Sequence, residues 1–106
     1  MEKLTGLNKL KTAVFISGNG SNFKNLLKFS KIKEAPISIN LVISNVNKAK
    51  GLKYADQINV KKKIFNFKDI EAEKKILTLL KKEKINFICL AGFMKILSKN
   101  FIKKFD

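Results

Sequence analysis

The sequence predicts an α/β fold, a Rossmann-like open parallel sheet with helices on both faces. Two observations carry that expectation: short runs rich in branched and aromatic residues recur along the chain, and longer segments of helical periodicity separate them. A β-α-β-α-β-α-β order requires crossover connections, and crossovers make neighbouring strands parallel. After a polar lead, a first strand is expected over about 12 to 17, with Ala13, Val14, Phe15 and Ile16 as its apolar run. A helix follows over about 21 to 31, where Phe23, Leu26 and Leu27 take one side and Lys24, Asn25 and Lys28 the other. Pro36 precedes a second strand, Ser38 to Ser44, and a lysine-rich helix over about 48 to 58 leads to a short third strand near 62 to 67. The next helix has an expected apolar stripe of Ile70, Ile76, Leu77, Leu79 and Leu80. Asp69, Glu71 and Glu73 cluster near its N-terminus, where the dipole favours acidic groups. The fourth strand is Phe87 to Ala91. The chain has 106 residues, with no internal repeat or low-complexity linker, so residues 1-106 are read as a single α/β domain, small for a doubly wound fold.

The junction between the first strand and first helix is the most specific local signal. Ser17-Gly18-Asn19-Gly20-Ser21-Asn22 joins an apolar strand to an amphipathic helix through small residues. Glycines let the backbone turn sharply and let a ligand come close, Ser21 or Asn22 can cap the helix, and free amides with the helix dipole favour an anion. The loop lacks the lysine and hydroxyl residue that a Walker A loop places after its last glycine. It also carries Phe23 where a dinucleotide fingerprint needs a third glycine, and Val42-Ile43-Ser44-Asn45 offers no ribose-binding carboxylate. What remains is a cradle for a phosphate monoester or a plain strand-to-helix turn.

The formal net charge is +15 and every basic residue is lysine. Dedicated nucleic-acid readers use arginine forks and exposed aromatics, whereas these lysines spread along helix faces and strand ends, with short clusters at Lys61-Lys62-Lys63, Lys81-Lys82 and Lys103-Lys104. A solvated basic surface that draws anionic substrates inward is the expectation, and a nucleic-acid partner is not. No stretch has the apolar length to cross a bilayer and the first residues lack a signal-peptide core, so a cytoplasmic location is expected. The single cysteine, Cys89, lies inside the fourth strand and reads as a buried reduced thiol, not a nucleophile. No metal-ligating cluster is expected.

A second special segment, Leu90-Ala91-Gly92-Phe93-Met94-Lys95-Ile96-Leu97-Ser98, follows the fourth strand. Ligands of open α/β sheets bind outside the carboxyl ends of the strands, where both segments would lie, as neighbours if strands one and four pair. Gly92 permits an unusual turn, and Phe93, Met94, Ile96 and Leu97 offer an apolar wall for a flat heterocycle, unless they only pack the core.

Taken together, Ile16 to Asn22, then Ser44-Asn45, then Leu90 to Ser98 resemble the phosphoribosylglycinamide formyltransferases, folate-dependent enzymes of purine synthesis, over about residues 12 to 106. The first loop separates the chain from the related methionyl-tRNA formyltransferases. The resemblance implies formyl transfer from 10-formyltetrahydrofolate to the amine of glycinamide ribonucleotide. It implies that Gly20, Ser21 and Asn22 hold the ribonucleotide phosphate, with Gly18 and Asn19 shaping the loop. It implies that Met94, Lys95, Ile96 and Leu97 line the 10-formyltetrahydrofolate site. Lys95 replaces an arginine more usual there, so charge is kept and a planar fork is lost. Another family arginine aligns with Asp69, which leaves the adjacent Lys68 as a candidate folate contact.

The family's catalytic asparagine, histidine and aspartate lie in a second half that this chain does not match, and the sequence contains no histidine. Formyl transfer needs proton movement and oxyanion stabilisation, which an imidazole and a carboxylate would supply. The chain is therefore expected to represent an N-terminal half, truncated at its C-terminal end and inactive alone, with no catalytic residue of its own. A sheet that stops at its fourth strand would expose an edge, so self-association is expected. Two other classes stay open: a non-catalytic phosphate- or ribonucleotide-binding module, and a basic nucleic-acid-binding protein, whose affinity would fall steeply with salt.

Overall fold

A computed structural model describes residues 9–18, 20–32 and 34–105. Among the described residues eight elements follow one another: β1 Leu10–Ile16, α1 Ser21–Ser30, β2 Ile37–Ser44, α2 Leu52–Gln57, β3 Lys61–Ile64, α3 Ala72–Lys82, β4 Phe87–Leu90 and α4 Lys99–Phe105. The four strands form one sheet in the order β3-β2-β1-β4, and every pairing is parallel. The expected fold class is observed.

The sheet is covered on both faces because its central strands are apolar on both. Val14, Ile16 and Val42 pack with Phe23 and Leu27 of α1 and Leu52 and Ala55 of α2. Ala13, Phe15, Leu41 and Ile43 turn the other way, onto Ile76 and Leu80 of α3 and Phe101 of α4. Near-continuous apolar runs of this kind mark strands that bury both faces. The β1-β2 register slips once, between Thr12 and Ala13, which pairs Thr12 with Ile39 and Ala13 with Leu41.

Several expectations are corrected. β3 ends at Ile64: the Phe65 N–H makes the last ladder bond, to the Ser44 carbonyl at 2.9 Å, and the Asn66 side chain then accepts the Lys68 N–H, closing a turn. Phe65 and Phe67 instead fold onto the core beneath α3. Ile70 is 96% exposed and lies off the apolar stripe, since α3 begins at Ala72 and Ile70 sits in the turn before it. Asp69 holds that turn, accepting the Glu71 N–H at 2.9 Å and the Lys75 ammonium at 2.9 Å, and its bond to Lys75 keeps the carboxyl below its usual range. The second helix is shorter than expected, Leu52–Gln57. Cys89 is half-buried instead of fully buried, and desolvation pushes its thiol up, which disfavours the thiolate.

Helix α4 is an element that the periodicity reading did not include. Ser98 starts it: the Phe101 N–H donates to Ser98 Oγ at 3.0 Å, and Ser98 donates to both Glu73 oxygens, from N–H at 2.8 Å and from Oγ at 2.6 Å. Glu73 of α3 thus pins the start of α4, and Phe101 fills the core below. Phe101 and Phe105, four apart after a serine cap, were the available signal.

Some of the lysines have local explanations. Lys61 pairs with Glu83 at 2.9 Å and Lys62 with Asp56 at 2.7 Å, along the outer strand β3. Lys81-Lys82 and Lys103-Lys104 close α3 and α4, where cations complement the helix dipole. Among the described residues no helix is long and apolar enough to cross a membrane, and no cluster of acidic, cysteine or histidine side chains could hold a metal ion.

Candidate functional site

The strand order places the site. From β1 the chain moves outward through β2 to β3, then returns to the far side of β1 for β4, so the order reverses between β1 and β4. At such a reversal the loops leaving the two strands diverge and open a crevice at their carboxyl ends. The loop after β1 carries Gly18 to Asn22, and the loop after β4 carries Gly92 to Ser98.

The first loop reaches α1 through Gly20, the residue before the helix, at φ 87°. Its carbonyl accepts the Lys24 N–H at 2.7 Å, the first bond of the helix. Ser21 and Asn22 therefore occupy the first helical turn, and neither is the cap that the sequence suggested. Gly20 brings no side chain to cap the helix and, among the described residues, no acidic residue stands in its first turn, which suits that end to an anion. Asn19 lies outside the described residues.

Two neighbours set the loop's shape. Gly51 donates its N–H to the Gly18 carbonyl at 3.2 Å. A Cβ on Gly20 would stand 2.5 Å from Gly51 Cα and 3.2 Å from the Tyr54 ring, so the pair of glycines permits a backbone approach that no side chain allows. Tyr54 meets Phe23 edge-on at 6.5 Å, with the Lys24 and Lys53 ammoniums 5.9 and 5.5 Å from its ring centre. Gly51 and Tyr54 were missed because they are far from the loop in sequence.

The second loop starts at Gly92, φ 73°, and the nearest atom to a Cβ built there is Asn22 Nδ2, at 3.6 Å. The two segments are neighbours, as the pairing of β1 with β4 requires. The expected apolar wall divides in two. Phe93 turns inward, edge-on to Phe15 at 5.4 Å and to Phe67 at 5.3 Å, and Leu97 packs on the same core. Met94, 82% exposed, and Ile96, 94% exposed, face solvent, and Lys95 between them is exposed. Anchors at both ends of an exposed stretch give a held segment with an apolar outer surface, on which a flat heterocycle could pack. Lys68 is exposed in the β3-α3 turn, next to the Phe67 that contacts Phe93.

A hydroxyl joins the strand ends. Ser17 Oγ accepts the Met94 N–H at 2.9 Å and donates to Asn45 Oδ1 at 2.5 Å. Ser44, the last residue of β2, accepts the Val46 N–H at 3.0 Å and donates to the Val46 carbonyl, which shapes the loop that presents Asn45.

A separate groove of about 740 Å³ runs between α3 and α4, over Leu77, Leu80 and Phe101, with Lys74, Lys81 and Lys104. It contains none of the residues at the sheet's reversal. Its one carboxylate, Glu73, is already bonded to Ser98.

Residues 10–106 match the formyl transferase family. A phosphoribosylglycinamide formyltransferase of Haemophilus influenzae is 35% identical over 99 residues, covering 90% of this chain and 47% of that protein. The human trifunctional purine biosynthetic protein adenosine-3 is 34% identical over 102 residues, which take in 92% of this chain and 10% of the human one. Among solved structures, the phosphoribosylglycinamide formyltransferase of Brucella melitensis superposes with a TM-score of 0.86 at 33% identity, over 92% of this chain and 53% of that one. The chain thus spans about half the length of the single-function relatives. With the family matched almost throughout and the same fold at the reversal point, the chain belongs to the formyl transferase family.

Proposed function

We propose that this chain holds the two substrates of a glycinamide ribonucleotide formyl transfer in purine synthesis: the ribonucleotide by its phosphate and 10-formyltetrahydrofolate, the co-substrate, by its ring. The observation that carries the reading is the adjacency of two strand-end loops, an anion-suited helix start beside an exposed apolar segment. Gly20, Ser21 and Asn22 receive the phosphate, with Gly18 and Asn19 as the loop's approach. Met94 and Ile96 pack against the pterin, while Lys95 and Lys68 meet the folate's carboxylates. Leu97 supports the segment from beneath, in place of the direct contact that the family resemblance assigns it. The relatives' names and the fit of the donor types support this assignment.

The sequence supplies no imidazole to shuttle a proton. The chain should bind both compounds and turn over neither. Calorimetric titration with glycinamide ribonucleotide, then with 10-formyltetrahydrofolate, should give saturable one-to-one binding of each and no formylated product. Absence of binding to either compound, or salt-steep binding of RNA with no ribonucleotide site, would contradict the reading. A cytoplasmic location suits this substrate pair.

Self-association is part of the same proposal, and the two sheet edges support it. β3 guards its edge with Lys61, Lys62 and Lys63, all exposed, whereas β4 presents Phe87, Ile88, Cys89 and Leu90 without a charge. Leu90 is 56% exposed. Two copies pairing along β4 would carry net charges of +15 each, so association should strengthen as salt screens them. Sedimentation velocity should show a dimer fraction that rises with salt and falls in Leu90→Lys. A monomer at every concentration and salt would oppose it.

A further inference from the structure

We infer that Ser17 is a positioning residue for the co-substrate, fixing the main chain of Met94 and, through it, the apolar surface that Met94 and Ile96 present. The inference rests on the reading of that surface as the folate site. Ser17 follows the last residue of β1 and is 6% exposed, so its hydroxyl is removed from solvent and must find its partners within the protein.

It finds one of each kind. The oxygen accepts the Met94 N–H at 2.9 Å, and the hydroxyl hydrogen goes to Asn45 Oδ1 at 2.5 Å. One side chain thereby ties the loops leaving β4, β1 and β2, three neighbouring strands of the sheet. The tie falls at a telling place. Phe93 is anchored in the core against Phe15 and Phe67, and Leu97 is anchored on the same core, but Met94, Lys95 and Ile96 between them lie exposed. Without Ser17 the exposed stretch would hang between two hydrophobic anchors.

The bond also commits the Met94 N–H. Any main-chain contact to the co-substrate then falls to the segment's other peptide groups, which are displayed in the register that Ser17 sets. Replacing the hydroxyl by hydrogen would leave the Met94 N–H and Asn45 Oδ1 without this partner, while the strands and both cores stay as they are. A threonine keeps the oxygen.

The test compares wild type, Ser17→Ala and Ser17→Thr in the full chain by amide hydrogen exchange and by titration with 10-formyltetrahydrofolate and glycinamide ribonucleotide. In Ser17→Ala, exchange at Met94 should accelerate at least tenfold with β1 and β2 amides unchanged. Folate affinity should fall about tenfold and ribonucleotide affinity less than twofold, and Ser17→Thr should restore both exchange and folate affinity. Unchanged Met94 exchange in Ser17→Ala would overturn the inference, as would equal losses for the two ligands or a general rise in exchange across the sheet. If wild type binds neither compound, the substrate reading fails, and folate positioning falls with it. Selective Met94 exchange would then show only a structural tie, which separates the two failures.

Discussion

Gly20→Ala is expected to lower stability by about 3 kcal/mol or more and to remove ribonucleotide binding. Two costs add. Gly20 holds φ 87°, where an L side chain loses about 1–2 kcal/mol. The new Cβ would lie 2.5 Å from Gly51 Cα, which is backbone and cannot swing aside, so α1 and α2 must separate. Overpacking of this kind adds about 1–3 kcal/mol. The resulting drop in melting midpoint is about 12 °C or more, at roughly 4–8 °C per kcal/mol for a chain of this size. Gly18→Ala is the matched control: nothing lies within 4 Å of its Cβ position, and stability should change by less than about 0.5 kcal/mol. Thermal melts of both variants, with a ribonucleotide titration at a temperature where Gly20→Ala remains folded, check the pair. Equal effects at the two glycines would contradict the packing account.

Phe15→Ala should be the most damaging substitution in the core. Phe15 is fully buried on the α3-α4 face and meets Phe93 at 5.4 Å and Phe101 at 6.4 Å, both edge-on. Truncating a buried phenylalanine costs about 3–5 kcal/mol, against a total stability of about 5–15 kcal/mol for a domain. The loss spreads to function because Phe93 rests on Phe15 and anchors the segment that carries Met94 and Ile96. Circular dichroism should show a midpoint lowered by about 12 °C or more. Phe15→Leu, which keeps most of the volume, should cost far less. A Phe15→Ala chain that melts like wild type would mean that the α3-α4 face does not carry the core.

These expectations draw on different depths of the sequence. The strands β1 and β2 were legible because buried parallel strands are apolar on both faces, and Ala13 to Ile16 and Leu41 to Ile43 read as such in isolation. The adjacency of the Gly20 and Gly92 loops followed from strand pairing alone, since a β1-β4 pair must bring their carboxyl ends together. β3 was drawn too far along because Phe65, Asn66 and Phe67 alternate like a strand, while the Asn66 side chain closes a turn. Ile70 was drawn onto a helical stripe whose first residue is Ala72, two positions later. Gly51, Tyr54 and the Ser17 tie could not be read, because their meaning lies in contacts across 28 to 77 positions of sequence that only the folded sheet creates. Inward and outward turns at Phe93, Met94, Ile96 and Leu97 were equally hidden, since a four-residue apolar set gives no period.

The central claim is that the helix start at Gly20 to Asn22 receives a phosphate monoester beside the Met94 segment. Amide chemical-shift mapping of the chain during titration with glycinamide ribonucleotide tests it most directly. Saturable shifts centred on Gly20, Ser21, Asn22 and Phe23, with smaller ones at Gly92, are the predicted result. Shifts confined to Lys74, Lys81 and Lys104 in the α3-α4 groove, or spread evenly over the lysine surface and erased by salt, would contradict it.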